Sequence, residues 1–545
     1  MSEIELKLSS SPEQFDKVRQ TVESMGQVAS AATSTLVAVY YDSEELKLHH
    51  QGFSLRVRDE DGRQIQTLKS DVGGNPDILT RNEWEDVITG HSPDFSAPQS
   101  GPRLMEVVSP DELHPLFKTI VRRTKFELEP RASTRVEVAL DEGEIRSAGD
   151  DSFEPICEIE LELKSGDPTA VYDLGLRLLD AASLRIEIRS KAARGYKFVS
   201  TNGALDPAVY ARRVRLEGSM TVEGALQGIG RSCIAHLLRN EPAVLGGSGD
   251  GIHQMRVAAR RLRAALFALK PMIPMEQYRW VLDELKWLAD VLSPVRNWDV
   301  FAANLQPVIQ ALPVESELQG LAQLAEQRRR AAYEQAVEAI RSQHYTATVL
   351  QLARWFEARG WRDQPASEQA ALLFAPIGAV APGLIERSWR RMRKRSRHFG
   401  QLTQQQRHRL RITLKKLRYT MEFLADLFDH GEVKALEKRL KPLQEDLGHL
   451  NDVRTAHTLT EEVSRHVNEG GNEISRAGGI VLGWHDRGLV DREPKLRKNV
   501  KRLRRAKPFW RRADLPWASP APANPAHVPT HQADEAASDH ARAAS

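Results

Sequence analysis

A chain of 545 residues, 41% hydrophobic and 28% charged, is long enough for two to four domains, and it contains no apolar run near the ~18 to 20 residues of a bilayer crossing. Only Cys157 and Cys233 occur, which excludes a disulfide framework or a thiolate metal site, and MSEIELKLSS has no leader pattern, so a cytoplasmic protein is expected. The net charge of +3 hides a split: residues 1–206 hold 24 Lys/Arg against 37 Asp/Glu, and residues 207–545 hold 53 against 37. The basic part points to a polyanionic partner, whereas the acidic part argues against a nucleic-acid coat.

Along the first 200 residues, IELKL near the start, FSLRVR (53–58), QIQTLK (64–69), RVEVAL (135–140) and ICEIELEL (156–163) alternate with period two and predict strands. Their charges recur on one face: Glu3, Glu5 and Lys7; Arg56 and Arg58; Lys69; Arg81, Glu83 and Glu85; Arg135 and Glu137; Glu158, Glu160 and Glu162; Arg189 and Lys191. A single such strand is an ordinary solvated edge. The recurrence instead predicts a closed antiparallel sheet with aliphatics outward and a polar lumen. Carboxylates clustered without His or Cys suit Mg²⁺ or Mn²⁺, and the facing Arg and Lys suit phosphate oxygens. Cys157 falls on the face opposite Glu158 and Glu160 and is expected to pack outward.

From Thr221 to about Arg505 the apolar residues recur at three and four, which predicts an all-helical region. Within it, His253, Arg256, Arg260, Arg261 and Arg263 reappear 155 residues later as His408, Arg411, Lys415, Lys416 and Arg418, both copies reading HxxRxxx[RK][RK]LR. A duplication into copies of about 221–375 and 376–505 follows. On each helix the His, the HxxR arginine and two further cations share a face opposite the leucines. Retention of the histidine in both copies favours a shared anionic ligand over plain solvation, and phosphate hydrogen bonding or structural packing is preferred to metal binding for His253 and His408. The cationic stretch RSWRRMRKRSRH (387–398) is read as part ligand surface and part solvated face, and LRKNVKRLRRAKPFWRR (ending at Arg512) as a nonspecific basic surface able to touch RNA or acidic lipid. Residues 514–545, rich in Pro and Ala, are expected to be disordered.

Residues 1 to about 203 resemble the CYTH domain of triphosphate tunnel metalloenzymes. The match is carried in order by ExExK, YYDSEELKLHHQGFSLRVR, the lysine of TLK, LFKTIVRRTKFEL, VEVALDEGEI, PICEIELELKSG and SKAARGY. The resemblance implies an eight-stranded antiparallel tunnel that hydrolyses or transforms triphosphates with a divalent metal. By position it implies metal binding by Glu3, Glu5, Glu137, Glu158 and Glu160, and phosphate binding by Lys7, Arg56, Arg58, Lys69, Arg81, Arg123, Arg135 and Lys191. Glu3, Glu5 and Lys7 are the implied catalytic group. Among Arg122, Arg123 and Lys125, Arg123 is taken as the inward residue, while Arg194 and Tyr196 either cap the tunnel or pack. Residues 221–505 resemble the CHAD domain, a helical module associated with polyphosphate. That implies polyphosphate binding by His253, Arg256, Arg260, Arg263, His408, Arg411, Lys415 and Arg418. One departure stands at Asn297, where an acidic residue is expected.

The expected architecture is thus α+β and multidomain: a tunnel domain (1–206), a duplicated helical bundle (221–505) and a disordered tail. The leading expectation is an inorganic triphosphatase, with Mg²⁺ or Mn²⁺, joined to a polyphosphate-binding module, with association with polyphosphate granules as a further expectation. Hydrolysis or cyclisation of another triphosphate and a non-catalytic polyphosphate scaffold remain open, whereas specific nucleic-acid binding and membrane insertion are not expected.

Overall fold

The computed structural model describes residues 4–25, 32–60, 62–70, 82–148, 152–200, 206–312, 315–465 and 471–512. Glu3, Arg81 and the 514–545 tail lie outside the described residues. The N-terminal part is one antiparallel sheet of nine strands: β1 (Ile4–Ser9), β2 (Ala32–Asp42), β3 (Phe53–Glu60), β4 (Arg63–Ser70), β5 (Asn82–Ile88), β6 (His114–Arg131), β7 (Thr134–Ser147), β8 (Phe153–Ser165) and β9 (Arg185–Ile186). Their order is β5-β4-β3-β2-β6-β7-β8-β1-β9. This corrects the expected eight: the two-residue β9 pairs with β1 through Leu8 and Ile186. The sheet is strongly curled rather than closed by hydrogen bonds, since among the described residues no ladder joins β5 to β9. Curling still brings side chains from both ends of the order into one cavity.

Alternation decides which face is dry. Leu6, Leu8, Val136, Val138, Leu140, Ile159 and Leu161 point outward, where α1 (Pro12–Ser24) and α4 (Thr169–Ala181) cover them. Single-turn helices α2 (Lys47–His50) and α3 (Gly101–Met105) bury Leu48 and Leu104 against Leu55 and Leu68. Helix α5 (Lys191–Val199) packs Ala192 and Tyr196 onto Phe117 and Tyr40. Its Gly195 admits that approach, because a Cβ there would overlap the Phe117 ring.

The helical part comprises α6 (Val222–Leu238), α7 (Glu241–Leu245), α8 (Gly249–Leu269), α9 (Met275–Ala311), α10 (Glu315–Arg341), α11 (Gln343–Glu357), α12 (Glu368–Ala371), α13 (Ile377–Arg395), α14 (Gln404–Leu424), α15 (His430–Arg465) and α16 (Gly471–Arg504). The 155-residue spacing of the motif carries through the helix starts: α6, α8 and α9 recur as α13, α14 and α15, and α8 and α14 share both ends. An isolated antiparallel bridge joins Thr221 to Pro376, which are themselves 155 apart. Contact between equivalent positions is what a pseudo-two-fold axis requires. The copies diverge at Ser342, which caps α11, while α16 runs straight on at the corresponding position. So α11 turns toward the sheet domain and packs on α4, with Leu350 near Gly175, an Arg354–Asp173 ion pair and a bond from Gln343 to the Leu179 carbonyl. No helix among the described residues is long and apolar enough to cross a membrane.

Candidate functional site

The curled sheet encloses a cavity of about 240 Å³ whose two walls carry different chemistry. On the β7/β8 wall, Asp141 and Glu158 are fully buried and Glu160 nearly so, and one oxygen from each lies within 4.8 Å of the others. The Lys191 ammonium sits among them, 2.8 Å from Asp141 Oδ2, 2.7 Å from Glu158 Oε2 and 2.9 Å from Glu160 Oε1. Arg123 grips Asp141 with two bonds, at 2.7 and 2.6 Å, and reaches Glu160 at 2.5 Å. Arg194 donates to Glu158 and Glu154 and to the Pro155 carbonyl. Lys7 stands 3.0 Å from Glu160 and 3.5 Å from Glu5.

These contacts set the charges. Burial disfavours the charged form of Lys191, but Glu160, Glu158 and Asp141 hold its pKa well above the usual lysine value. Burial likewise opposes ionisation of Glu160, and Lys191, Lys7 and Arg123 override it, leaving the carboxyl well below its ordinary range. Paired in this way, Lys191 and Glu160 hold opposite charges in a dry space.

The β3/β4 wall is basic and less completely paired. The Nε atoms of Arg56 and Arg58 are buried without a hydrogen-bond partner. Arg56 lies 3.7 Å from Glu83 and 3.9 Å from Glu85, and Lys69 lies 2.9 Å from Glu83. Burial and the neighbouring Arg56 push Lys69 and Arg58 below their ordinary values. Unfilled donors beside destabilised cations are a receptive surface for an anion.

The cavity therefore gathers Glu5, Lys7, Arg56, Arg58, Lys69, Arg123, Glu160 and Lys191, with Glu158 just behind Lys191. Glu137 does not join them: it pairs with Lys125 at 3.2 Å and Lys164 at 3.8 Å. Arg135 is exposed beside Ser165. Arg122 points outward to Glu142, so Arg123 is the inward member of its segment. Cys157 is half-buried on the outer face, opposite Glu142 in the ladder. Asp141 was not singled out in the sequence, although VEVALDEGE places it on the same parity as Glu137. The trio Asp141, Glu158 and Glu160 fits a hard divalent cation, since it offers oxygens only and already surrounds one positive charge.

In the helical domain, α8 packs on α14, and Arg256 and Arg260 of one copy face Arg411 and Lys415 of the other. Buried nitrogens of Arg256, Arg260, Arg411 and His253 have no hydrogen-bond partner. Burial, then Arg411, Arg260 and Arg256, pushes Lys415 down to about 7, and burial with Arg260 and Arg296 brings Arg256 to about 10. Arg296, which sequence reading passed over, occupies the position equivalent to Asn451. In the second copy His408 instead bonds Asn451 at 2.8 Å and lines a separate cavity with Arg407 and His457. Asp299 faces Arg296 in the first copy, where Asn297 lacks a carboxylate, and Asp452 faces Arg411 in the second. Arg263 lies near Lys416, whereas Arg418 is exposed over the Tyr419 ring.

Comparison with known proteins agrees with this two-part layout. The profile of the CYTH domain matches residues 1–196, and that of the CHAD domain matches residues 228–461. An inorganic triphosphatase of Haemophilus influenzae is 32% identical over 196 residues, which are 36% of this chain and 54% of that protein, so the match spans about half of that relative's length. An uncharacterized protein of Mycobacterium tuberculosis is 25% identical over 550 residues, covering 90% of this chain and 96% of its own. The crystal structure of the CHAD domain from the plant Ricinus communis is similar at 27% identity and a TM-score of 0.48, covering 55% of this chain and 98% of that one. The chain carries a CYTH domain, residues 1–196, joined to a CHAD domain, residues 228–461.

Proposed function

We propose that the sheet domain hydrolyses inorganic triphosphate with Mg²⁺ or Mn²⁺ and that the helical domain binds polyphosphate. The observation that carries the first half is the division of the lumen, with a carboxylate trio on β7/β8 opposite the unfilled Arg56 and Arg58 donors on β3. A pure anion receptor gains nothing from buried carboxylates facing its ligand. The choice of inorganic triphosphate among triphosphates rests on the likeness of residues 1–196 to the inorganic triphosphatase of Haemophilus influenzae.

Asp141, Glu158 and Glu160 would hold the metal, which when bound supplies charge neutralisation for the phosphate oxygens. Arg56, Arg58 and Lys69 grip the chain and orient its terminal phosphorus. Glu5, a partly exposed residue of the cavity lining, accepts a proton from the attacking water as the new P–O bond forms and the bond to the departing pyrophosphate breaks. Lys7 stabilises the negative charge that develops on that leaving group.

In the helical domain, uncompensated cations brought together by the pseudo-two-fold axis support binding of a flexible phosphate chain by charge-assisted bonds. The test is phosphate release from tripolyphosphate, long-chain polyphosphate, ATP and thiamine triphosphate, with each metal in turn. Tripolyphosphate turning over fastest is the expected result. Preference for ATP would reassign the substrate, and absence of turnover on all four would reduce the tunnel to a receptor.

A further inference from the structure

The basic surface of the helical domain does not end at the duplicated motif. Helix α13 runs beside the α8/α14 pair, and its last turn is basic on both sides. On the side of the cleft, Arg391 lies 4.6 Å from the Phe267 ring, and Lys416 lies 3.7 Å from the same ring. Arg395 donates to Thr413 Oγ1 at 2.7 Å. On the other side, the end of α13 and helix α16 line a further, open surface cavity of about 460 Å³. Its lining includes Arg393, His398, Arg497, Lys501, Arg504 and Arg505, and no described carboxylate. Arg504 fixes the seam by donating to the Arg393 carbonyl at 2.8 Å and to Ser396 Oγ at 3.1 Å.

Plain solvation is the ordinary reading of exposed arginines, but their neighbours show how this surface treats a solvated one. Arg390, also on α13, pairs with Glu386 at 2.7 Å, and Arg512 pairs with Glu432 at 2.7 Å. Within this cavity, among the described residues, only Arg497 has such a partner, Glu493. Burial, then Arg393 and Arg397, lowers the pKa of Arg504, and burial with Arg263, Arg391 and Arg395 brings Lys416 to about 8. Like charges held around a hollow repel one another until an anion enters.

We propose that this cavity is a second phosphate-chain site, and that the cleft, the end of α13 and the cavity form one continuous track that selects long polyphosphate by its length. This rests on the cleft being a polyphosphate site. A short chain fills the cleft alone, while a long one bridges α13 and gains the second site as an intramolecular event. The ligand is an inorganic chain rather than a nucleic acid because, of the two rings that line the cavity, Phe399 is buried and only His398 is exposed, so successive bases find no row of faces to stack on.

The experiment measures affinity of the full chain for polyphosphates of two defined lengths and for single-stranded RNA with as many phosphates as the longer. Three variants are compared: Lys501→Ala with Arg505→Ala in the cavity, Arg256→Ala with Arg411→Ala in the cleft, and Arg390→Ala with Arg512→Ala as a control of equal charge loss on paired arginines. The expected result is that the cavity variant loses about tenfold or more for the long chain and under about twofold for the short one, the separation that avidity provides. The cleft variant should lose both lengths. Equal weakening of both lengths by the cavity variant, or no more weakening than the control, overturns the track while leaving the cleft reading intact. RNA bound as tightly as the long polyphosphate overturns the ligand assignment. Unchanged binding in the cleft variant overturns the cleft reading, and the track with it.

Discussion

Lys191 Nζ lies 2.8 Å from Asp141 Oδ2 at the head of a helix that closes the lumen, and the same ammonium touches Glu158 and Glu160. An internal cation thus occupies the space among the carboxylates that suit a metal. Lys191→Ala should leave three buried acids short of a partner and lower stability by about 3–5 kcal/mol in metal-free buffer. Mn²⁺ should then raise the thermal midpoint of the variant more than that of the wild type. Equal shifts would separate Lys191 from the metal-binding residues.

Asp141 and Glu137 share a strand and a parity but not a fate. Asp141→Asn should lower turnover by about a hundredfold or more, because it removes a carboxylate of the trio and half of the Arg123 clamp. Glu137→Gln should stay within about threefold, since neither Glu137 nor its partners Lys125 and Lys164 line the cavity. Steady-state phosphate release compares the two, and similar losses would extend the site to the far end of β7.

Much of the sheet domain was legible because a two-residue period is hard to mimic by chance. Glu5, Lys7, Arg56, Arg58, Lys69, Glu158 and Glu160 were readable as inward residues from parity alone. Asp141 shares the parity of Glu137, but Ala139 interrupts the alternation of charges before it, so the pattern fades where RVE gives way to LDE. The ninth strand was not legible: two residues carry no period, and β9 exists only because the chain returns alongside β1. In the helical domain the repeat predicted two basic faces, and the structure sets them against each other. The two histidines differ in surroundings, because Arg296 stands where the second copy has Asn451, a difference the 155-residue offset contains but whose effect on His253 and His408 appears only in the packing. The turn at Ser342 that sends α11 to the sheet domain has no counterpart in the second copy, and its purpose appears only in the packing on α4.

Gly195→Ala should lower stability by about 1–3 kcal/mol, because the added methyl must displace the Phe117 ring, which stacks on Tyr40 with centroids 4.6 Å apart. Since α5 carries Lys191, activity should fall with stability. Denaturant unfolding alongside an activity assay checks both, and unchanged values in each would show that α5 is not held by this contact.

Polyphosphate binding should take up protons above neutral pH. Lys415 is pushed down to about 7 and Lys416 to about 8 in the free protein, so both are charged at pH 6 and increasingly neutral as pH rises. An anion favours the charged forms and raises both values, so affinity should fall from pH 6 to pH 9 and proton uptake should appear near pH 8. Titration calorimetry in buffers of different ionisation enthalpy measures that uptake, and Lys415→Arg with Lys416→Arg should abolish most of it. Uptake persisting in the double variant would assign it to other groups.

The most direct test of the account is phosphate release from tripolyphosphate by the full chain and by Glu160→Gln, with Mg²⁺ or Mn²⁺ present and after chelation. Glutamine keeps the shape of Glu160 and removes the charge that Lys191, Lys7 and Arg123 surround. The account predicts metal-dependent release by the wild type and a loss of about a hundredfold or more in the variant. Release within about twofold in the variant, or undiminished by chelation, would contradict it.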